Sequence, residues 1–273
     1  MQLKRAAAPL LALLIPAVLL SNVVLPAFGW NPQTTDLQGT NSSSNSYPNN
    51  NANNRFDIYT TTSVCGIQAG EDFTSPESIA FLIKLDMARL AQNRFTISRM
   101  RSGDQYEIYF SIDGKDFCIL FRASGASQGT CTLFNKTGSS WTSRASLTAT
   151  NIASGRAYNT ADYKIGFILT NAGATTPGSV KFIISKQYLY DLGARGNLVT
   201  GIYATTRSSG TGIPGTGTQM DRCPASGYAS WTLQGDIPDL PAGILLLALP
   251  LIAIYAYLKR SGSVTAYGLK IHS

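Results

Sequence analysis

The chain has 273 residues, with 22 Lys plus Arg against 15 Asp plus Glu, four cysteines and a single histidine. That histidine, His272, is the penultimate residue, so Ser-His-Asp and Cys-His arrangements and His-ligated metals are excluded from the body of the chain. Residues 30–236 hold 17 basic and 14 acidic side chains, so much of the formal +7 sits at the two ends and is not a nucleic-acid footprint; no nucleic-acid partner is expected.

Reading from the N-terminus, Lys4 and Arg5 precede an apolar stretch at 6–24, followed by the small residues Ala27 and Gly29. This is the three-part pattern of a secretory signal, expected to occupy 1–29 and to leave Trp30 as the first mature residue. An uncleaved first membrane span is the alternative, which Pro9, Pro16 and Pro26 disfavour. Residues 30–55 are rich in Asn and Ser and too poor in apolar surface to offset ordering, so a flexible arm is expected. Asn41-Ser42-Ser43 there, and Asn135-Lys136-Thr137 later, match the N-glycosylation acceptor pattern.

One β-rich domain is expected over 56–234, a size at which a single core can bury about 70% of the unfolded surface. Residues 75–94 read in two ways. Ser75 as cap, Pro76 at the first position and the stripe Ile79, Leu82, Ile83, Met87 and Leu90 favour a helix. Ile79, Phe81, Ile83, Leu85 and Met87 also alternate as a strand does; the helix is preferred on residue propensity.

The clearest element is a hairpin over 106–121. Asp113-Gly114 suits a two-residue type I′ turn, and pairing outward from it sets Phe110 opposite Phe117, Ile108 opposite Ile119 and Tyr106 opposite Phe121. All six then share one face, an agreement that a one-residue slip would destroy. Further strands are expected at 130–134, 141–150, 163–170, 179–185, 199–206 and 228–233, separated by turns such as Thr176-Pro177-Gly178 and the Gly/Thr-rich loop at 208–218. Short strands with Gly-rich turns point to an antiparallel β-sandwich with one helix.

Cys65, Cys118, Cys131 and Cys223 all lie in the exported part, and an even number there suggests two disulfides. Three pairings exist. The preferred one joins Cys118 to Cys131 and Cys65 to Cys223, each bridge contributing ~3–5 kcal/mol on a chain-entropy basis. Glu71, Asp72, Glu77, Asp104, Glu107, Asp113 and Asp116 are the carboxylates open to paired acid–base chemistry on a glycan, and Asp104, Asp113 and Asp116 to calcium. Acidic residues near turns are more commonly solubilising or turn-forming, so no catalytic residue, cofactor or metal is assigned and an enzyme is not expected.

Near the C-terminus, residues 242–258 carry no charge and no polar face. With Leu240 and Pro241 they approach the ~20 residues that cross a bilayer, with Tyr255 and Tyr257 at one boundary and Lys259-Arg260 on the side that stays cytoplasmic. A stalk at 235–241, a transmembrane helix at 242–258 and a cytoplasmic tail at 259–273 are expected, making a single-pass cell-surface protein with its N-terminal domain outside. The stretch Ile237-Pro238-Asp239-Leu240-Pro241 ahead of that helix and basic pair resembles the PEP-CTERM class of sorting signals read by exosortases and archaeosortases, with Pro238, Asp239, Leu240 and Pro241 in place of the motif. That resemblance implies cleavage from the helix and attachment to a surface lipid or polymer. Thirteen further residues, 261–273, follow the basic pair here, as a permanent anchor would allow.

The expected function is a membrane-anchored module that binds a surface glycan, a protein partner or the envelope through loops or exposed aromatics. A self-assembling subunit of a layer, pilus or virion spike, and a carboxylate-dependent glycan hydrolase, are the two alternatives.

Overall fold

The computed structural model describes residues 35–36, 54–58, 66–72, 77–85, 95–152, 156–158, 163–224 and 226–234. The signal at 1–29, Asn41, Cys65, and the stalk, apolar segment and tail at 235–273 lie outside the described residues. Among the described residues no helix is long and apolar enough to cross a membrane.

The protein is mainly β, with antiparallel sheets. The first sheet runs β1 (Thr35–Asp36), β2 (Ile67–Asp72), β3 (Ser78–Leu85), β10 (Gly178–Ser185), β9 (Ile165–Thr170) and β8 (Arg156–Tyr158) in spatial order. The second runs β12 (Thr218–Cys223), β11 (Leu198–Ser208), β4 (Gln105–Ile112), β5 (Lys115–Ala123), β6 (Gly129–Thr137) and β7 (Ser140–Ala149), with β13 (Ala229–Thr232) also paired to β11. One short helix, α1 (Lys186–Asp191), follows β10, capped by Ser185 Oγ accepting from the Tyr188 N–H at 3.3 Å.

A single core joins the inner faces of the two sheets, with Phe81 against Phe110 at 4.8 Å between ring centroids and Phe121 against Phe167 at 4.9 Å. The β4–β5 hairpin has the register expected from sequence, Phe110 to Phe117, Ile108 to Ile119 and Tyr106 to Phe121. Asp113 and Gly114 take φ of 52° and 69°, the two positive values that a type I′ turn needs. The expected strands at 130–134, 141–150, 163–170, 179–185, 199–206 and 228–233 correspond to β6, β7, β9, β10, β11 and β13.

Two expectations are corrected. Residues 78–85 of the proposed helix form β3, paired on both sides, to β2 and to β10. Ile79, Phe81, Ile83 and Leu85 enter the shared core while Ala80 joins a small cluster on the other face, so burial on both faces satisfies a strand and overrides helix propensity. Residues 86–94 lie outside the described set.

The second correction concerns Cys118 and Cys131, which are free thiols. Cys118 pairs across the ladder with Phe134 and Cys131 with Phe121, three steps apart. Cys131 faces the shared core and Cys118 the outer face, so their Cβ vectors diverge and no bridge can close. Cys223 is disulfide-bonded; its expected partner, Cys65, is outside the described residues.

The polar arm also contributes structure: Thr35–Asp36 adds β1 to the edge of β2, a backbone pairing that needs no apolar alternation. Phe56 and Ile58 are buried, held by Thr206 Oγ1 donating to the Phe56 carbonyl at 2.6 Å and by the Ile58 N–H donating to Asp221 Oδ2 at 2.8 Å.

Candidate functional site

The outer face of the second sheet carries a cavity of about 330 Å³, near the β4–β5 turn, whose lining includes Tyr109, Ser111, Asp116, Lys136, Trp141, Gly201, Tyr203 and Tyr228. Three directly opposed cross-strand pairs build most of it. Tyr109 of β4 faces Tyr203 of β11, Ser111 of β4 faces Asp116 of β5, and Lys136 of β6 faces Trp141 of β7. Tyr228 comes from the chain just before β13.

Two β-bulges aim the aromatic rings. Val199 is a core residue, so strict alternation would send Gly201 and Tyr203 to the core as well. The register instead slips between Thr200 and Tyr203, with Gly201 at φ 63°, and this extra residue returns Ile202 and Ala204 to the core and turns Tyr203 outward. On β7, Leu147 and Ala145 pack on the core, and the register slips again at Arg144, between the Ala145–Leu133 and Ser143–Phe134 pairs. That slip puts Trp141 on the outer face.

The rings form a graded set. Tyr109 and Tyr203 stack at 4.5 Å and 3° between planes, and Trp141 meets Tyr109 edge-on at 5.7 Å. The Arg222 guanidinium lies 4.8 Å from the centre of Tyr203 and 5.6 Å from that of Tyr228, while it donates to the carbonyls of Pro224 at 2.7 Å and Gly227 at 2.9 Å. Arg222 thereby holds the loop that presents Tyr228, which is 65% exposed. Lys136 Nζ lies 5.8 Å from the Trp141 ring, and Ser111 Oγ donates to Asp116 Oδ1. Burial pushes the Tyr203 phenol up to about 12, with the nearby Cys118 adding to the effect, so its hydroxyl stays protonated across the physiological range.

Beside the cavity on the same face lies a buried carboxylate, Glu107. Its Oε1 accepts from Gln105 Nε2 and from the Gly215 N–H at 3.1 Å; its Oε2 accepts from Tyr109 Oη at 2.7 Å, Thr205 Oγ1 at 2.7 Å and Arg207 Nε at 3.0 Å. The Gly/Thr-rich loop closes over this cluster, with the Gly212 N–H donating to Gln105 Oε1 at 3.0 Å and Arg122 Nε donating to the Gly210 carbonyl at 2.7 Å. Such a carboxylate is saturated and serves the fold.

The remaining acidic candidates are dispersed, apart from Glu71 and Glu77, which share Lys186. Asp104 takes Arg55 through both oxygens, at 2.6 and 3.2 Å. Glu71 meets the buried Lys186 ammonium at 2.6 Å, with Glu77 3.7 Å from the same nitrogen. Asp113 occupies the hairpin turn, and Asp72 ends β2. Asp116 is the member of the set that lines the cavity, so the structure does not bring a carboxylate pair together there. No group of three or more His, Cys, Asp or Glu side chains among the described residues is placed to hold a metal ion. Asn135 sits in β6, its amide donating to the Asp116 carbonyl at 3.3 Å. Arg99 and Arg101 are exposed. Sequence reasoning invoked exposed aromatics without saying which; the bulges that select Trp141 and Tyr203 leave only Gly201 as a local trace.

No protein-family model matches this chain, and no curated protein or solved structure is significantly similar to it.

Proposed function

We propose that this chain is a surface-displayed binding module: a two-layer antiparallel sandwich exported by its N-terminal signal, tethered by the apolar segment at 242–258, and using the aromatic cavity of its second sheet to hold a ligand in adhesion or envelope contact. The observation that carries this reading is the outward placement of Tyr109, Trp141, Tyr203 and Tyr228 around one concavity. Aromatic side chains gain most from burial, and two bulges withhold Tyr203 and Trp141 from the core beneath them. A face with no partner gains nothing from that arrangement, whereas a binding face uses large rigid rings with polar tips.

The test is adhesion of cells displaying the full chain, compared with cells displaying Trp141→Ala and Tyr228→Ala at equal surface density. Loss of attachment in both variants supports the module; attachment equal to that of the parent chain removes it.

Assembly into a layer or fibre is a second reading. It is favoured by β7, a ten-residue strand at the end of its sheet with mostly exposed polar side chains. Ordered arrays in electron micrographs of native membranes would support it, and isolated knobs would count against it.

A further inference from the structure

We propose that the ligand of the aromatic cavity is an uncharged carbohydrate, a neutral pyranose unit of a glycan, stacked on Trp141 and Tyr228 and fixed through its hydroxyls by Asp116, Ser111 and Lys136. This inference rests on the reading of the cavity as a ligand site and gives that ligand a chemical class.

Among the four rings, two are scaffold and two are platform. Tyr203 is stacked on Tyr109 at 4.5 Å and approached by Arg222 at 4.8 Å, so its faces are occupied from within the protein. Tyr109 is buried between Tyr203 and the edge of Trp141. Trp141, half-buried, and Tyr228, 65% exposed, each meet one cation, Lys136 at 5.8 Å and Arg222 at 5.6 Å, and keep further surface to offer. A pyranose presents a patch of axial C–H bonds that suits the electron-rich face of such a ring, with hydroxyls around its perimeter.

The polar groups around the cavity answer those hydroxyls. Asp116 accepts one hydrogen bond from Ser111 and keeps acceptor capacity for a vicinal diol, while the exposed Lys136 ammonium is a donor for hydroxyl or ring oxygens. The volume of about 330 Å³ lies at the small end of the ~300–1,000 Å³ typical of small-molecule sites, enough for one or two sugar rings and too little for a folded partner.

Charge argues against the nearest competitor. Aromatic cages also bind quaternary ammonium ions, but Arg222 and Lys136 already lie over Tyr203, Tyr228 and Trp141 and would repel a second cation. Asp116, exposed in the wall, opposes the carboxylate of a uronate or sialate, and the uronate probes below test that opposition against the attraction of Lys136.

The test is titration of the full chain in a detergent without a sugar headgroup, following Trp fluorescence and amide chemical shifts. The probes are neutral gluco-, galacto- and manno-configured oligosaccharides, their uronate counterparts, and tetramethylammonium. Saturable binding of at least one neutral series is expected, weakened at least tenfold by Trp141→Ala and by Tyr228→Ala and at least fivefold by Asp116→Asn. Each variant's thermal midpoint serves as the folding control, and the exposure of Tyr228 keeps that variant informative. Tighter binding of uronates than of their neutral counterparts, competition by tetramethylammonium, or no saccharide binding would each overturn the inference. If no saccharide binds while Trp141→Ala and Tyr228→Ala still abolish cell attachment, the sugar assignment fails and the binding module stands; the converse result fails the adhesion reading alone.

Discussion

Two halves of one sheet face are built from the same strand, one closed over by the chain and the other left open. Along β4 the outward positions run Gln105, Glu107, Tyr109, Ser111. The first two lie beneath the Gly/Thr-rich loop, where both Glu107 oxygens are saturated by donors from β4, β11 and the loop. The last two open into the cavity, where Asp116 and Lys136 are exposed and Tyr228 stands clear of the core. Tyr109 joins the halves, its ring in the cavity and its hydroxyl on Glu107 at 2.7 Å. Polar groups that are closed off by the chain itself stabilise a fold, and polar groups left open beside apolar surface recognise something else.

Breaking the closed half should have the largest effect. Glu107→Ala removes the carboxylate that Arg207 pairs with and strands several buried donors, so a loss of about 3–5 kcal/mol is expected in urea unfolding. A loss below about 1 kcal/mol would mean that water or the loop replaces the carboxylate, and the distinction between the halves would fail. Next in size is a pH effect at Asp221, beneath the same half. Burial raises its carboxyl from 3.8 to about 6, against the opposing hydrogen bonds from the N–H groups of Ile58 and Arg222. The folded state therefore holds this proton more tightly than the unfolded chain. The stabilisation is complete below about pH 4 and disappears as pH rises through about 6, amounting to ~2–3 kcal/mol. Asp221→Asn should remove that component from the pH dependence of the unfolding midpoint between pH 4 and 7. An unchanged slope would place the titration elsewhere.

The closed half was partly legible in the sequence and the open half was not, for a physical reason. Hairpin register follows from local chemistry: Asp113-Gly114 sets the turn, and alternation of Tyr106, Ile108 and Phe110 then fixes which face is inside. β3 was ambiguous because a strand buried on both faces loses the polar alternation that separates it from a helix. Ala80 and Leu82 are as apolar as Phe81 and Ile83, and only the flanking partners β2 and β10 decide. The cysteine pairing failed because spacing says nothing about which face a side chain takes; Cys118 and Cys131 are on opposite faces of their sheet. The cavity was hidden by its bulges, since a period-2 reading of β7 assigns Trp141 to the core beside Ala145 and Leu147. The same reading assigns Tyr203 to the core beside Val199.

That dependence makes the β11 bulge the next point to break. At Gly201, φ is 63°, and a side chain there would project toward Ser111 Oγ, 3.6 Å from its Cβ. Gly201→Val forces a β-branched residue into the left-handed region, at a cost of about 1–3 kcal/mol, or straightens the strand and turns Tyr203 inward. Either outcome should abolish ligand binding, and the second should also alter the near-ultraviolet circular dichroism of the Tyr109–Tyr203 stack. A variant that keeps parental stability and binding would show that the bulge does not set the aromatic face.

Tyr228→Ala should have the smallest effect on stability and the sharpest effect on function. Tyr228 is 65% exposed, and the loop it tops is held by Arg222 through two backbone carbonyls that the substitution does not touch. A change in unfolding free energy within about 0.5 kcal/mol is therefore expected, as for other exposed sites away from caps and ion pairs. Its ring is nevertheless one of the two with surface left to give, so cell attachment should fall while the protein remains folded. Glu107→Ala makes the opposite forecast, destabilising the fold without removing any aromatic surface. If Tyr228→Ala unfolds the protein, its ring is a structural support for Tyr203, and the open half is an extension of the closed one. If it changes neither stability nor attachment, the exposed tyrosine has no role in recognition, and the case for this concavity as a binding face reduces to Trp141 alone.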